Sequence, residues 1–177
     1  MGLMLNAFPV LETERFLLRE LSLNDTKFIF SLRTSKEVNT FIQRNTPKNL
    51  SETRAFIDMI CNLVADHKGV FWVIQSKQND ELMGTIGIRN FEVEDNYAEI
   101  GYELHPDYHQ KGIMSEALKE VVNFGFNHLQ LNTIEAYTHK NNIASIALLE
   151  KHNFVLQPKK RDENFENNRI FKLESKK

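Results

Sequence analysis

The loop His105-Pro106-Asp107-Tyr108-His109-Gln110-Lys111-Gly112 joins an alternating strand, residues 98–104, directly to a helix whose apolar residues Ala117, Leu118, Val121, Val122, Phe124 and Phe126 are spaced to dock on a sheet. Strand, glycine-bearing loop and helix N-terminus together make an anion cradle. The first helical amides lack an intrahelical partner and the macrodipole makes that end partly positive, so a phosphate or pyrophosphate is the favoured guest. Gly112 lets backbone approach such a ligand closely, and Lys111 adds a mobile positive charge. An ordinary strand-to-helix turn fits the same residues. The dinucleotide fingerprint needs three glycines and the ATP-binding loop needs Gly-Lys-Ser/Thr, and neither occurs here. On the strand, alternation sends Glu99 to the opposite face from Ile100 and Tyr102.

Other residues able to do chemistry read more simply as structure. His105 and His109 stand four apart, but Pro106 breaks a helix there and no Cys or Asp/Glu cluster completes a metal set, so no metal is expected. Cys61 falls on the core side of its helix and reads as a small buried hydrophobe, and there is no Gly-x-Ser-x-Gly elbow. Lys159-Lys160-Arg161 is followed at once by Asp162 and Glu163, which fits a solvated hairpin better than nucleic-acid binding. Trp72, Phe71 and Phe91 lie in strand patterns and are expected in the core.

The elements that position these residues follow from the pattern. Residues 11–21 read as a strand, and Ser22-Leu23-Asn24-Asp25 offers caps for a helix through Leu32. Ser51 caps a second helix carrying Ala55, Phe56, Met59, Ile60, Leu63 and Val64, which Gly69 stops. Residues 70–75, 82–91 and 97–104 form an antiparallel meander. After the helix beyond Gly112 come a strand at 133–138, a helix at 143–151 and a closing strand pair at 154–157 and 169–173, with a frayed end at 174–177. The order βααβββαβαββ is a mixed α/β sheet protein, read as a single domain over residues 1–177. With 22 basic and 24 acidic side chains, the net charge of -2 offers no field for nucleic acid or anionic lipid. The single cysteine fits a reducing, cytoplasmic setting, and residues 1–9 carry no export signal and no segment reads as a membrane span.

These residues resemble the GNAT superfamily of acyl-coenzyme A dependent N-acyltransferases, and within it the RimJ/RimL-like, ribosomal-protein-alanine N-acetyltransferase branch. The resemblance covers nearly the whole chain. It is carried by Leu11-Glu12-Thr13-Glu14-Arg15-Phe16-Leu17-Leu18-Arg19, by Met83-Gly84-Thr85-Ile86-Gly87 and by Ala98 through Pro106. Lys111-Gly112-Ile113-Met114-Ser115-Glu116-Ala117-Leu118 is similar to the coenzyme A pyrophosphate motif, and Asn142-Ile143-Ala144-Ser145 with Asn153-Phe154 to the second cofactor motif. The family loop, Gln/Arg-x-x-Gly-x-Gly/Ala, maps onto residues 109–114 with His109 and Met114 as departures. Asn153 replaces the usual glycine after the last helix, and asparagine tolerates the left-handed turn required there.

The resemblance implies acetyl-CoA as co-substrate and a sheet splayed between the fourth and fifth strands of that order. The diphosphate would be held by the loop and helix start from His109, Gln110, Lys111 and Gly112 to Ile113, Met114 and Ser115. Backbone amides around Tyr102, Glu103 or Leu104, at a bulge, would meet the thioester carbonyl, and Asn142 would bond the pantetheine. Amide formation needs an uncharged amine, and an amine of pKa ~10 is mostly protonated at neutral pH. The resemblance places the general base at Glu99; a solvated strand glutamate is the alternative. Many relatives supply a tyrosine acid where this chain has Leu149, leaving Ser145 as the nearest hydroxyl. The acceptor expected is the α-amine of a protein N-terminus, with a small amine, amino acid or antibiotic as the alternative, and residues 34–50, including Phe41 and Arg44, shaping its pocket. A monomer or homodimer is expected. A non-catalytic acyl-CoA sensor or assembly module is the rival from another class.

Overall fold

The computed structural model describes residues 7–92 and 94–176, so residues 1–6 of the N-terminal segment lie outside it. The chain runs β1 (Leu11–Glu12), β2 (Phe16–Glu20), α1 (Thr26–Thr34), α2 (Leu50–Ala65), β3 (Gly69–Ser76), β4 (Leu82–Glu92), β5 (Tyr97–Leu104), α3 (Ile113–Asn127), β6 (Thr133–His139), α4 (Ile143–Lys151), β7 (Val155–Leu156) and β8 (Asn168–Glu174). All eight strands form one mixed sheet in the order β1-β2-β3-β4-β5-β6-β8-β7. The meander and the closing pair stand where the sequence puts them.

Four local expectations are corrected. The single first strand is a hairpin: the Thr13 hydroxyl accepts from the Phe16 amide at 3.0 Å and the chain turns back, pairing Leu11 with Leu18. The second helix is capped by Asn49, whose side chain accepts from the Glu52 amide at 2.9 Å, rather than by Ser51. That helix ends at Ala65, with His67 in the left-handed region, before Gly69 is reached. Glu174 belongs to β8 rather than to a frayed end.

Alternation gives the sheet two unlike faces. On one, Leu18, Trp72, Ile74, Ile86, Ile88, Ile100 and Ala136 pack with Ile113, Ala117, Leu118, Val121 and Phe124 of α3 in the main core. Trp72 is fully buried and donates to the Pro9 carbonyl at 2.6 Å. On the other face Val73 packs with Leu21, Ile29 of α1 and Ile57 and Ile60 of α2. Further along that second face, β5 presents Tyr97, Glu99, Gly101 and Glu103 and β6 presents Thr133, Glu135, Tyr137 and His139. Among the described residues no helix is long and apolar enough to cross a membrane.

Strands β5 and β6 pair in parallel only from Tyr97↔Thr133 to Ile100↔Ala136. Beyond that β6 stays with β8 and β5 stays with β4, so the sheet opens between residues 101–104 and 137–139. The opening needs no bulge in β5: its register with β4 is unbroken from Glu99 to Leu104, and the irregularity lies between Arg89 and Glu92 instead, where Asn90 has φ 52°.

Candidate active site

The loop before α3 alternates its backbone handedness, with Gln110 at φ 59° and Gly112 at φ 73°. The first helical bond runs from the Glu116 amide to the Gly112 carbonyl at 3.1 Å, so the amides of Ile113, Met114 and Ser115 stand ahead of any intrahelical partner. Such a nest of N–H groups suits a phosphate. The side chains of Ile113 and Met114 are buried in the core, which leaves only their main chain for a ligand. A Cβ on Gly112 would meet nothing closer than the Arg15 Nη2 at 3.5 Å, so the cradle is open.

Its charge comes from an unexpected place. The Lys111 ammonium is drawn back to the Asp107 carbonyl at 2.8 Å and lies over the Tyr108 ring, while the His109 ring bonds the Leu104 carbonyl at 3.1 Å. Arg15, at the β1–β2 turn, donates to the Lys111 carbonyl at 3.1 Å and pairs with Glu116 at 2.7 Å. Arg15 and Glu116 both sit inside motifs visible in the sequence, but nothing local joins positions 101 residues apart.

At the opening in the sheet the His105 amide bonds the Met83 carbonyl on β4, so by strand alternation Glu103 also turns its main chain to β4, and Tyr102 and Leu104 turn theirs to the gap. Of the three amides expected to serve a carbonyl, those of Tyr102 and Leu104 face the gap and that of Glu103 is turned to β4. Across the gap Asn142 caps α4, accepting from the Ser145 amide at 3.1 Å through Oδ1. The Ser145 hydroxyl is 2.9 Å from that of Tyr102. Burial pushes the Tyr102 phenol up to about 12, against the opposing effect of its bond to Ser145. Leu149 is fully buried in the core. Asn153 adopts φ 64°, the left-handed turn expected of it. Ser115 reaches α4 as well, 2.8 Å from His152 Nε2.

The second face holds three carboxylates in distinct states. Glu103 is tied to Arg44 and lies 3.9 Å from Arg33. Glu135 is 1% exposed, bonded by Lys160 at 2.5 Å and near the hydroxyls of Tyr97 at 3.2 Å and Tyr137 at 3.4 Å. Burial, their mutual hydrogen bond and the surrounding carboxylates push the Tyr97 phenol up strongly. Glu99 is largely buried; its ion-pair partner among the described residues is the exposed Arg89, at 3.8 Å. Between Glu99 and Glu103, Gly101 leaves open space: a Cβ there would meet nothing within 4 Å. Residues 41–44 contact both strands beside the gap, Arg44 through Glu103 of β5 and Phe41 by stacking on His139 of β6 at 5.4 Å. Beyond Glu99 a cleft of about 360 Å³ is lined in part by Tyr97, Thr133, Glu135, Tyr137 and Lys160. Sequence reading missed Arg15, Glu135 and this cleft; the one signal for Glu135 is a charged residue between Ile134 and Ala136 in a strand.

Residues 15–155 match the family model described as acetyltransferase (GNAT) domain. The chain is 33% identical over 147 residues, 83% of each chain, to the uncharacterized N-acetyltransferase YoaA of Bacillus subtilis. It is 34% identical over 152 residues to the uncharacterized N-acetyltransferase p20 of Bacillus licheniformis, covering 86% of this chain and 85% of that one. Its fold is similar to that of RimL, a ribosomal L7/L12 alpha-N-protein acetyltransferase solved with coenzyme A, with a TM-score of 0.82 at 15% identity over 94% of this chain and 98% of the other.

Proposed function

Because the chain belongs to the GNAT acetyltransferase family and is an acetyl-CoA-dependent N-acetyltransferase, we propose that it acetylates the α-amine of a protein N-terminus with Glu99 as general base. The observation that carries this reading is the contrast among the three carboxylates: Glu103 is held by arginines and Glu135 by Lys160, while Glu99 lies beside the open space at Gly101 with the exposed Arg89 as its ion-pair partner among the described residues. Of the three, Glu99 alone has no ion-pair partner closer than 3.8 Å among the described residues.

The residues fit the co-substrate. The amides of Ile113, Met114 and Ser115 with Gly112 would hold the diphosphate, joined by the main chain of His109, Gln110 and Lys111, and the parted strands would admit the pantetheine arm beside Asn142. Acetyl-CoA brings a thioester, an acyl group already activated for attack. The amine nitrogen attacks that carbonyl, its proton passes to Glu99 directly or through a water, and a Tyr102 or Leu104 amide receives the oxyanion, a donor worth ~3 kcal/mol elsewhere. The acceptor reading is supported by the likeness to RimL and by residues 41–44, which wall the far end of the site. It places one domain of residues 1–177 in the cytoplasm, as a monomer or homodimer.

Thiol release from acetyl-CoA across N-terminal peptides, amino acids, small amines and aminoglycosides tests it. Release is expected with Ala- or Ser-initiated peptides; release only with small amines moves the acceptor to that class, and tight binding of acetyl-CoA without release overturns catalysis in favour of a sensor.

A further inference from the structure

We propose that Gly101 is the seat of the acceptor: the carbon that bears the attacking amine rests on the bare main chain of β5 at this residue, so that position 101 decides which amines are acetylated. The inference rests on the acetyl-transfer reading and adds to it the surface that receives the second substrate.

A glycine inside a strand weakens the strand and needs a reason. Among the described glycines, five have one within the molecule. A Cβ on Gly69, Gly84, Gly87 or Gly125 would stand 3.0 Å or less from another atom, and Gly112 is left-handed at φ 73°. Gly101 has neither reason. A Cβ there would meet nothing within 4 Å, its φ is not left-handed, and it lies within β5 in register with Gly87 of β4. A strand glycine with no reason in its own chain marks a place where a ligand comes close.

The position suits an amine acceptor. Ile100↔Ala136 is the last rung between β5 and β6, so Gly101 is the first residue of β5 beside the opening. Glu99 precedes it by two residues on the same face, about 6.7 Å along the strand. An amine that attacks a carbonyl lodged in the opening and passes its proton towards Glu99 lies over residue 101, with the carbon that bears it against the main chain.

The neighbours of Gly101 on that face are furnished. Gly87 is covered, since a Cβ on it would meet the ring of Phe71, its register partner on β3, at 3.0 Å. Glu103, next along β5, is tied to Arg44, and across the opening the Tyr137 hydroxyl donates to Glu135 at 3.4 Å. The uncovered floor is therefore one residue wide, which suits a carbon carrying hydrogen or a single small substituent.

Pairs of acceptors that differ by one methyl on the amine-bearing carbon read the floor directly: Gly- against Ala-initiated peptides, and ethylamine against isopropylamine. Gly101→Ala is expected to fold with a melting temperature at or above that of the wild type, and to bind acetyl-CoA with unchanged affinity by calorimetry. Its kcat/KM should fall roughly 30-fold for the methyl-bearing acceptor and about 3-fold or less for its partner, the discrimination that one carbon supplies in close contact. The same split should appear in acceptor affinity measured with coenzyme A bound, where no acetyl group can move. Equal losses for both members of a pair, or no loss, overturn the proposal and leave acetyl transfer standing. Absence of turnover with every amine in the wild-type protein would overturn the acetyl-transfer reading, while the calorimetric split with coenzyme A bound would still decide what Gly101 seats.

Discussion

Glu99 and Glu135 are register partners in the parallel pairing of β5 with β6, two carboxylates side by side on one face. Glu135 is sealed from water and held by Lys160 at 2.5 Å, whereas the ion-pair partner of Glu99 among the described residues is the exposed Arg89 at 3.8 Å. The difference fits the base role proposed for Glu99, with Glu135 held as part of the structure.

Glu99→Gln is expected to lower kcat/KM for the acceptor by about 10²- to 10⁴-fold near pH 7 while leaving acetyl-CoA affinity unchanged by calorimetry. The deficit should shrink as pH rises toward the pKa of the amine, because unprotonated acceptor then arrives without help. A deficit independent of pH would argue for a packing role.

Arg44→Met strips Glu103 of its close partner and leaves Arg33 at 3.9 Å. A loss of about 2 kcal/mol in urea unfolding is expected, since a largely buried carboxylate is left under-paired. Acceptor KM should rise more than kcat falls, because residues 41–44 lose their hold on β5. Adding Glu103→Gln should recover part of the stability.

Gly112 has room for a side chain but not the backbone freedom for most of them, with φ at 73°. Gly112→Ala should cost roughly 1–2 kcal/mol of local strain and weaken acetyl-CoA binding about tenfold, with acceptor KM unchanged at saturating co-substrate. Gly112→Asn should stay closer to wild type, because asparagine tolerates the left-handed region. Equal losses in both variants would point to steric blockage rather than strain.

His152 is held below its ordinary 6.5 by burial first, then by Lys151 and Lys119. On acidification the unfolded chain therefore binds this proton before the folded one, and stability falls as pH drops below 6.5 and is regained above it. Denaturant unfolding between pH 5 and 7 should show that slope, and His152→Gln should flatten it. An unchanged slope would assign the dependence to other groups.

Local chemistry made much of this molecule legible from sequence. The Tyr97–Leu104 alternation put Glu99 on the correct face, a single Gly112 marked the start of α3, and Asn153 announced its own left-handed turn. Capping was less decisive, since Asn49 and Ser51 both suit a helix start and the competition is settled by which side chain reaches a free amide. What stayed hidden were pairs made by topology. Arg15 of the β1–β2 turn meets Glu116 of α3, Arg44 between α1 and α2 meets Glu103 of β5, and Lys160 of the β7–β8 loop meets Glu135 of β6, pairs made only by the tertiary fold. The parting of β5 from β6 was expected from resemblance, but its cause, β6 following β8 while β5 follows β4, is a property of pairings no single segment encodes.

That parting leaves an internal seam of main-chain donors and acceptors in the middle of an otherwise laced sheet. On the proposed co-substrate reading pantetheine, a chain of amides, would act as a temporary rung there, so loading the carrier should knit the β1–β5 and β6–β8 halves together and raise the melting temperature beyond what the proposed diphosphate contacts alone would supply. Unpaired strand edges are also a natural place for an extended peptide to lodge, so storage with coenzyme A is expected to lower self-association, checked by light scattering.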